Sequence, residues 1–225
     1  MELKQKKALI AGGTGLIGNE LLHLLLDGNV YNEVIALVRR PLEISHNKLT
    51  EVIVDFDELD YIQDRFAVDD VYCCLGTTIK KAKTKEAMTK VDVEYPLAIA
   101  KIAREKGAKH FLLVSSMNAN PNSIVWYSSM KGRLEQELSK VPFQSISILR
   151  PSLLLGERKE FRLGERFAAI VYRKLSFIFK GASKKYGAIE GKKVALAMYR
   201  IAQLNKKGLT IYQSDEIETK AVSTI

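Results

Sequence analysis

Short apolar runs alternate with longer segments of helical period along most of the chain. Lys7-Ala8-Leu9-Ile10-Ala11 predicts a strand, which runs into glycine-rich punctuation and then an apolar helical stretch over residues 16–26. Glu33-Val34-Ile35-Ala36-Leu37-Val38, Val52-Ile53-Val54 and Asp70-Val71-Tyr72-Cys73-Cys74-Leu75 predict the second to fourth strands. A helix over about 84–106 precedes a fifth, Phe111-Leu112-Leu113-Val114, and another over about 128–139 precedes a sixth, Ile146-Ser147-Ile148-Leu149. Strands that stay apolar at every position, separated by helices, are what a parallel sheet covered on both faces requires. The predicted class is therefore α/β, a doubly wound parallel sheet.

The rhythm changes after Arg150-Pro151. Arginine and lysine become dense, helices are expected near 164–179 and 192–204, and a late strand, Leu209-Thr210-Ile211-Tyr212, precedes a short polar segment. No repeat or linker interrupts the chain, so residues 1–225 are expected to form one domain, with 151–225 as a small cap on the substrate side of the sheet. Hydrophobic residues at 47% and charged residues at 27% exclude a disordered or fibrous chain. No stretch approaches the roughly 20 apolar residues of a membrane span. The start lacks an apolar run ending in a cleavage site, and the adjacent Cys73 and Cys74 suit neither a disulfide framework nor a zinc site. The expectation is a soluble, reduced, cytoplasmic protein with no integral membrane part. Net charge is +9, unevenly spread: residues 1–110 carry 16 Lys+Arg against 17 Asp+Glu, and the other 115 carry 19 against 9. A basic C-terminal half can attract anionic ligands or a protein partner, or be no more than a solvated surface.

Gly12-Gly13-Thr14-Gly15-Leu16-Ile17-Gly18 lies directly between the first strand and the first helix. A pyrophosphate needs glycine there, because side chains keep the backbone at a distance, and the free N–H groups at the helix start complete the anion site. The second strand ends Val38-Arg39-Arg40-Pro41, with no carboxylate at its tip. A carboxylate would suit the 2′-hydroxyl of NAD, whereas the planar donor fork of arginine suits the 2′-phosphate of NADP(H). Asp55-Phe56 after the third strand and Gly76-Thr77-Thr78 after the fourth fit the adenine and ribose of a dinucleotide lying across the strand ends.

Tyr127-Ser128-Ser129-Met130-Lys131 places a phenol and an ammonium at i and i+4, one helix face. A neighbouring ammonium favours phenolate, which makes tyrosine a usable acid/base. Eleven residues earlier, Ser115-Ser116 closes the fifth strand, where a hydroxyl can polarise a carbonyl oxygen. Of the pair, Ser116 is the expected member, because this pattern resembles that of the extended short-chain dehydrogenase/reductases, which use the second serine.

Together these residues resemble the atypical short-chain dehydrogenase/reductases, and more narrowly the Tat-interacting protein family of NADPH-binding oxidoreductase-like proteins. The resemblance rests on Cys73-Cys74-Leu75-Gly76-Thr77-Thr78, Lys109-His110-Phe111, Ser115-Ser116, Tyr127 with Lys131 and Arg150-Pro151. It continues through Gly156-Glu157-Arg158 to Arg162-Leu163-Gly164-Glu165. It implies a Rossmann fold, NADP(H) in the turn from Gly12 to Gly18, Arg39 and Arg40 near the 2′-phosphate, and Gly76 and Thr77 beside the cofactor. It also implies Tyr127 and Lys131 at the nicotinamide, with Arg162 as a further contact. Longer members carry an asparagine on the helix after the fourth strand; this chain has Val91-Asp92-Val93-Glu94 instead.

The expected activity is NADP(H)-dependent reduction of a small carbonyl compound, or oxidation of the matching alcohol. In it Tyr127 passes the proton, Lys131 holds the ribose and Ser116 holds the substrate oxygen. The alternative is a module that senses NADP(H) and meets a protein partner through the basic C-terminal half. Arg158, Lys159, Arg162 and Arg166 form either an anion patch or a solvated face. Three scattered histidines give no metal-ligand spacing, and no nucleic-acid recognition motif accompanies the positive charge, so neither partner is expected.

Overall fold

The computed structural model describes residues 5–155 and 187–222. Among them, seven strands form one parallel sheet in the order β3-β2-β1-β4-β5-β6-β9. These are β1 (Lys6–Ala11), β2 (Tyr31–Val38), β3 (Leu49–Ile53), β4 (Asp70–Cys73), β5 (His110–Val114), β6 (Ser145–Arg150) and β9 (Gly208–Gln213). Two short strands, β7 (Leu154–Leu155) and β8 (Ile189–Glu190), pair separately. This is the Rossmann-like α/β arrangement that the apolar runs predict. Order reverses at β1, where the chain first winds outward through β2 and β3 and then returns through β4, and ligands of such sheets sit at that switch point.

The two faces are covered by different helices. On one, α1 (Leu16–Asp27) turns Leu21, Leu22, Leu25 and Leu26 inward at helical spacing. They pack with Val194, Ala197, Met198 and Ile201 of α6 (Gly191–Ile201). On the other, α4 (Tyr95–Glu105) and α5 (Trp126–Leu138) bury Ile99, Ala103, Leu134 and Leu138 against Phe111 and Ile148. Each fully buried leucine or phenylalanine contributes about 1.5–3 kcal/mol, so the two layers clamp the sheet between them.

Two stretches differ from the sequence pattern. The helix expected over 84–106 is divided into α3 (Lys85–Thr89), a π turn (Lys90–Glu94) and α4, after a short α2 (Ile79–Ala82). Pro96 is the physical reason. In a regular helix its missing N–H would have bonded the Asp92 carbonyl, and its ring would strike that carbonyl. The wider turn, in which the Tyr95 N–H reaches Lys90 O five residues back, absorbs the conflict. The polar segment after β9 forms a helix, α7 (Ser214–Val222), which buries Ile217 and Ala221 one turn apart. The helix expected over 164–179 lies outside the described residues.

Candidate functional site

The site forms at the carboxyl ends of β1, β4 and β5. In the turn after β1, Gly12 adopts φ +89°, and a Cβ there would meet the Cys74 carbonyl carbon and oxygen at 2.6 Å. Only glycine fits both demands. A Cβ on Gly18 would fall on the Gly12 carbonyl oxygen, so this residue lets α1 pack down onto the turn. Thr14 and Gly15 are exposed, Leu16 is half-buried and Ile17 is buried. The N-cap is Gly15, which has no side chain to bond the first N–H groups, and the first turn of α1 holds no acidic residue. Those amides and the positive end of the helix dipole therefore face outward uncapped, which suits an anion. This cradle, with the glycines where side chains would collide, fits a dinucleotide pyrophosphate.

Arg39 and Arg40 follow β2 and are exposed, and among the described residues neither forms an ion pair. Asp55 is exposed, and its carboxylate accepts the Asp57 N–H at 3.0 Å in a local turn. Phe56 is buried and stacks on Tyr95 with ring centroids 5.3 Å apart, so its ring faces the core rather than a ligand. Gly76 is exposed at the end of β4, and the neighbouring Thr77 N–H donates to Asp92 Oδ2 at 2.8 Å. Arg162 lies outside the described residues, as do Arg158, Lys159 and Arg166.

The loop before α5 is tied to the helix it feeds. The Asn120 N–H donates to Ser128 O at 3.0 Å and the Ser129 hydroxyl to Pro121 O at 3.0 Å. Tyr127 is thus held in the first turn of α5, 38% exposed, while Lys131 one turn on is 3% exposed. The Lys131 ammonium is 2.7 Å from Asp92 Oδ1, and Asp92 itself is 1% exposed. The same carboxylate therefore serves the lysine on α5 with one oxygen and the Thr77 amide with the other. An asparagine would place an NH2 donor where one of these oxygens stands and so could not accept at both positions. Cys73 faces this pair; burial pushes its thiol up to about 11, which keeps it a small apolar residue at neutral pH.

The adjacent serines part company. The Ser115 hydroxyl is buried and donates to Glu135 Oε1, and Glu135 in turn accepts a forked pair of bonds from Arg150. That network locks β5, β6 and α5 together. The Ser116 hydroxyl is buried and, among the described residues, has no hydrogen-bond partner. Beside Tyr127, the Trp126 ring and Met88 form one wall of a cavity of about 410 Å³, with the Lys85 ammonium 5.4 Å above the indole. Sequence reading recorded position 92 only as a departure and passed over Glu135, Lys85 and Trp126. Pro96 was the available signal for Asp92, since a proline that deep in a predicted helix marks a disturbed turn four residues earlier.

The model of the family described as NAD dependent epimerase/dehydratase matches residues 8–144. The rat protein HTATIP2 is 36% identical over 171 residues, covering 74% of this chain and 70% of that protein. The FMP52 protein of Debaryomyces hansenii, named mitochondrial, is 31% identical over 223 residues, covering 96% and 94%. Among solved structures, MoeE5 in complex with UDP-glucuronic acid and NAD has a TM-score of 0.70 at 16% identity, covering 96% of this chain and 81% of that one. The Bordetella bronchiseptica enzyme WbmH, in complex with NAD+, has a TM-score of 0.70 at 17% identity, covering 93% and 76%. These structural likenesses bear on the fold alone. The mitochondrial names of the FMP52 relatives, that of Saccharomyces cerevisiae included, correct the cytoplasmic expectation. Organelle-import segments are amphipathic and carry no long apolar run, so an apolar-run criterion does not detect them. Among the described residues, no helix is long and apolar enough to cross a membrane.

Proposed function

The chain belongs to the NAD dependent epimerase/dehydratase family, and from that premise we propose that it is an NADP(H)-dependent oxidoreductase of the short-chain dehydrogenase/reductase kind. Its reaction is reduction of a small carbonyl compound, or oxidation of the matching alcohol. The observation that carries the reading is the buried Ser116 hydroxyl left without a partner at the end of β5. A buried hydroxyl without a hydrogen bond costs about 1–3 kcal/mol, and a substrate oxygen removes that cost.

The roles follow from placement. The amides from Gly12 to Gly18 take the pyrophosphate, Arg39 and Arg40 the 2′-phosphate, Asp55 the adenine side, and Gly76 and Thr77 the nicotinamide ribose. Lys131 bonds that ribose with the N–H groups that Asp92 leaves over. When bound, the cofactor supplies hydride or accepts it. Tyr127 transfers the proton to or from the substrate oxygen, and Ser116 donates a hydrogen bond to it, so the oxygen is held from two sides while it gains charge. Asp92 acts through its neighbours, fixing the lysine and the Thr77 loop in one geometry.

Calorimetric titration with NADPH and with NADH tests the binding half. NADPH is expected to bind about tenfold tighter or more, since charge-assisted bonds to a phosphate are worth roughly 1.5–3 kcal/mol, and Arg39→Ala with Arg40→Ala should erase the difference. Equal affinities refute the preference for NADP(H), and no binding of either refutes the whole reading. Tyr127→Phe tests the chemistry: turnover should fall by about a thousandfold with cofactor affinity unchanged. A protein whose partner binding depends on NADP(H) but which never turns over a carbonyl would instead be the sensing module.

A further inference from the structure

Resting on that reading, the walls beside Tyr127 bear on what the substrate is. The cavity there, about 410 Å³, is of a size to enclose a small-molecule substrate. Its apolar walls are Ile79, Met88 and Trp126, and its polar side chains are two threonines, Tyr127 and Lys85. Among the described residues no carboxylate and no side-chain amide lines it. A sugar would bring several hydroxyls into that space and leave most of them without partners, which makes such a ligand a poor fit. A flat apolar body meets the indole and the Met88 and Ile79 side chains without that cost.

Among the described residues, Lys85 supplies the one cation on the wall. Its ammonium lies over the Trp126 ring, and among the described residues it forms no ion pair. The nearest acid in sequence, Glu86, is hydrogen-bonded by its own N–H and the Thr84 hydroxyl, which with the weaker pull of the Lys85 charge hold its carboxyl below the usual range. Residues 79–85 contain four lysines and no acid, and Lys85 is the one of them that lines the cavity. We propose that the substrate is an aromatic or similarly flat apolar carbonyl compound that carries an anionic group. Its ring rests on Trp126, its anion meets Lys85, and its carbonyl points to Tyr127 and Ser116. Reduction of such a compound by NADPH breaks the C=O π bond, forms one C–H bond from the hydride and one O–H bond with the Tyr127 proton, and releases NADP+. The phenolate regains its proton from solvent.

Trp126 is the only tryptophan in the chain, so its emission reports on this cavity alone. The intact protein, saturated with NADP+ so that no turnover intervenes, is titrated with 4-carboxybenzaldehyde, 4-formylphenyl phosphate, benzaldehyde and UDP-glucose. NADPH consumption with each is then measured. At least one of the two anionic aldehydes should change the emission and bind about tenfold tighter than benzaldehyde, and should be reduced; the better of them identifies the anion. Lys85→Gln should bring its affinity down to that of the neutral aldehyde. A response to UDP-glucose in place of the aldehydes overturns the proposal, as does an anion preference that Lys85→Gln leaves intact. If NADP+ itself fails to bind by calorimetry, the oxidoreductase reading falls. If NADP+ binds and no aldehyde is felt by Trp126, only the substrate assignment falls.

Discussion

At the amino-terminal end of the sheet, Tyr31, Asp70 and Tyr72 close on one another. The Tyr31 hydroxyl donates to Asp70 at 2.7 Å and lies 2.7 Å from the Tyr72 hydroxyl, and Lys6 caps the carboxylate at 3.2 Å. Nearby, the buried His110 ring shares a hydrogen bond of 2.9 Å with Ser147. Burial pushes both phenols well above their ordinary range, so they remain protonated donors. At the carboxyl-terminal end the polar groups are just as deeply set, yet an uncapped helix start, an unpartnered Ser116 and a half-exposed Tyr127 are left open. One end satisfies its polar groups from within the chain, whereas at the other, among the described residues, the buried Ser116 hydroxyl and one Asp215 carboxylate oxygen have no partner. Burial of polar groups therefore does not mark a site.

The Asp92–Lys131 pair breaks this contrast, because it is a closed pair at the open end. Asp92→Ala leaves a buried ammonium alone and should cost about 3–5 kcal/mol in urea unfolding, with cofactor affinity falling as the Thr77 loop loosens. Replacing both residues, Asp92→Leu with Lys131→Met, should restore most of the stability but not the binding. Restored binding would show that the pair serves the frame and not the site.

At the closed end, His110 ties stability to pH. Burial lowers its folded value to about 4 from 6.5, so the unfolded chain takes up the proton first. The stability present above pH 6.5 is lost as pH falls from there toward 4, by up to about 3 kcal/mol. His110→Asn should flatten that part of the stability–pH curve, and an unchanged slope would assign it to other groups.

The smallest effect separates the adjacent serines. Ser115→Ala strips a donor from the buried Glu135 and should lower stability by about 1–2 kcal/mol with the cofactor still bound. Ser116→Ala has no bond to lose, and should leave stability within about 0.5 kcal/mol while slowing turnover. The reverse pattern would exchange their roles.

The strands were legible because a strand buried on both faces must be apolar at every position, as in Ala8-Leu9-Ile10-Ala11. The glycine turn was legible for a related reason: its constraint is local, set by backbone angle and close approach at Gly12 and Gly18. The helix at Ser214–Val222 was missed because its buried face is only Ile217 and Ala221 amid charged neighbours, too narrow a stripe to stand out. Asp92 was seen and its role was not. Its meaning comes from Thr77 and Lys131, residues 15 and 39 positions away, which only the folded sheet brings to one carboxylate. Likewise nothing local distinguishes Ser115 from Ser116. That choice is made by Glu135 and Arg150 on other elements.

The small pairing of β7 with β8 has an evolutionary consequence. Leu154 sits beside Ile189 and Leu155 beside Glu190, and the Ile189 N–H donates to Leu153 O at 2.9 Å, so two short runs 35 positions apart are held together as a neck. A segment anchored at both ends of such a neck can be lengthened, shortened or exchanged at little entropic expense, since each doubling of a loop costs only about 0.6 kcal/mol. The neck thus holds its two strands at one spacing however the length of chain between them changes over time.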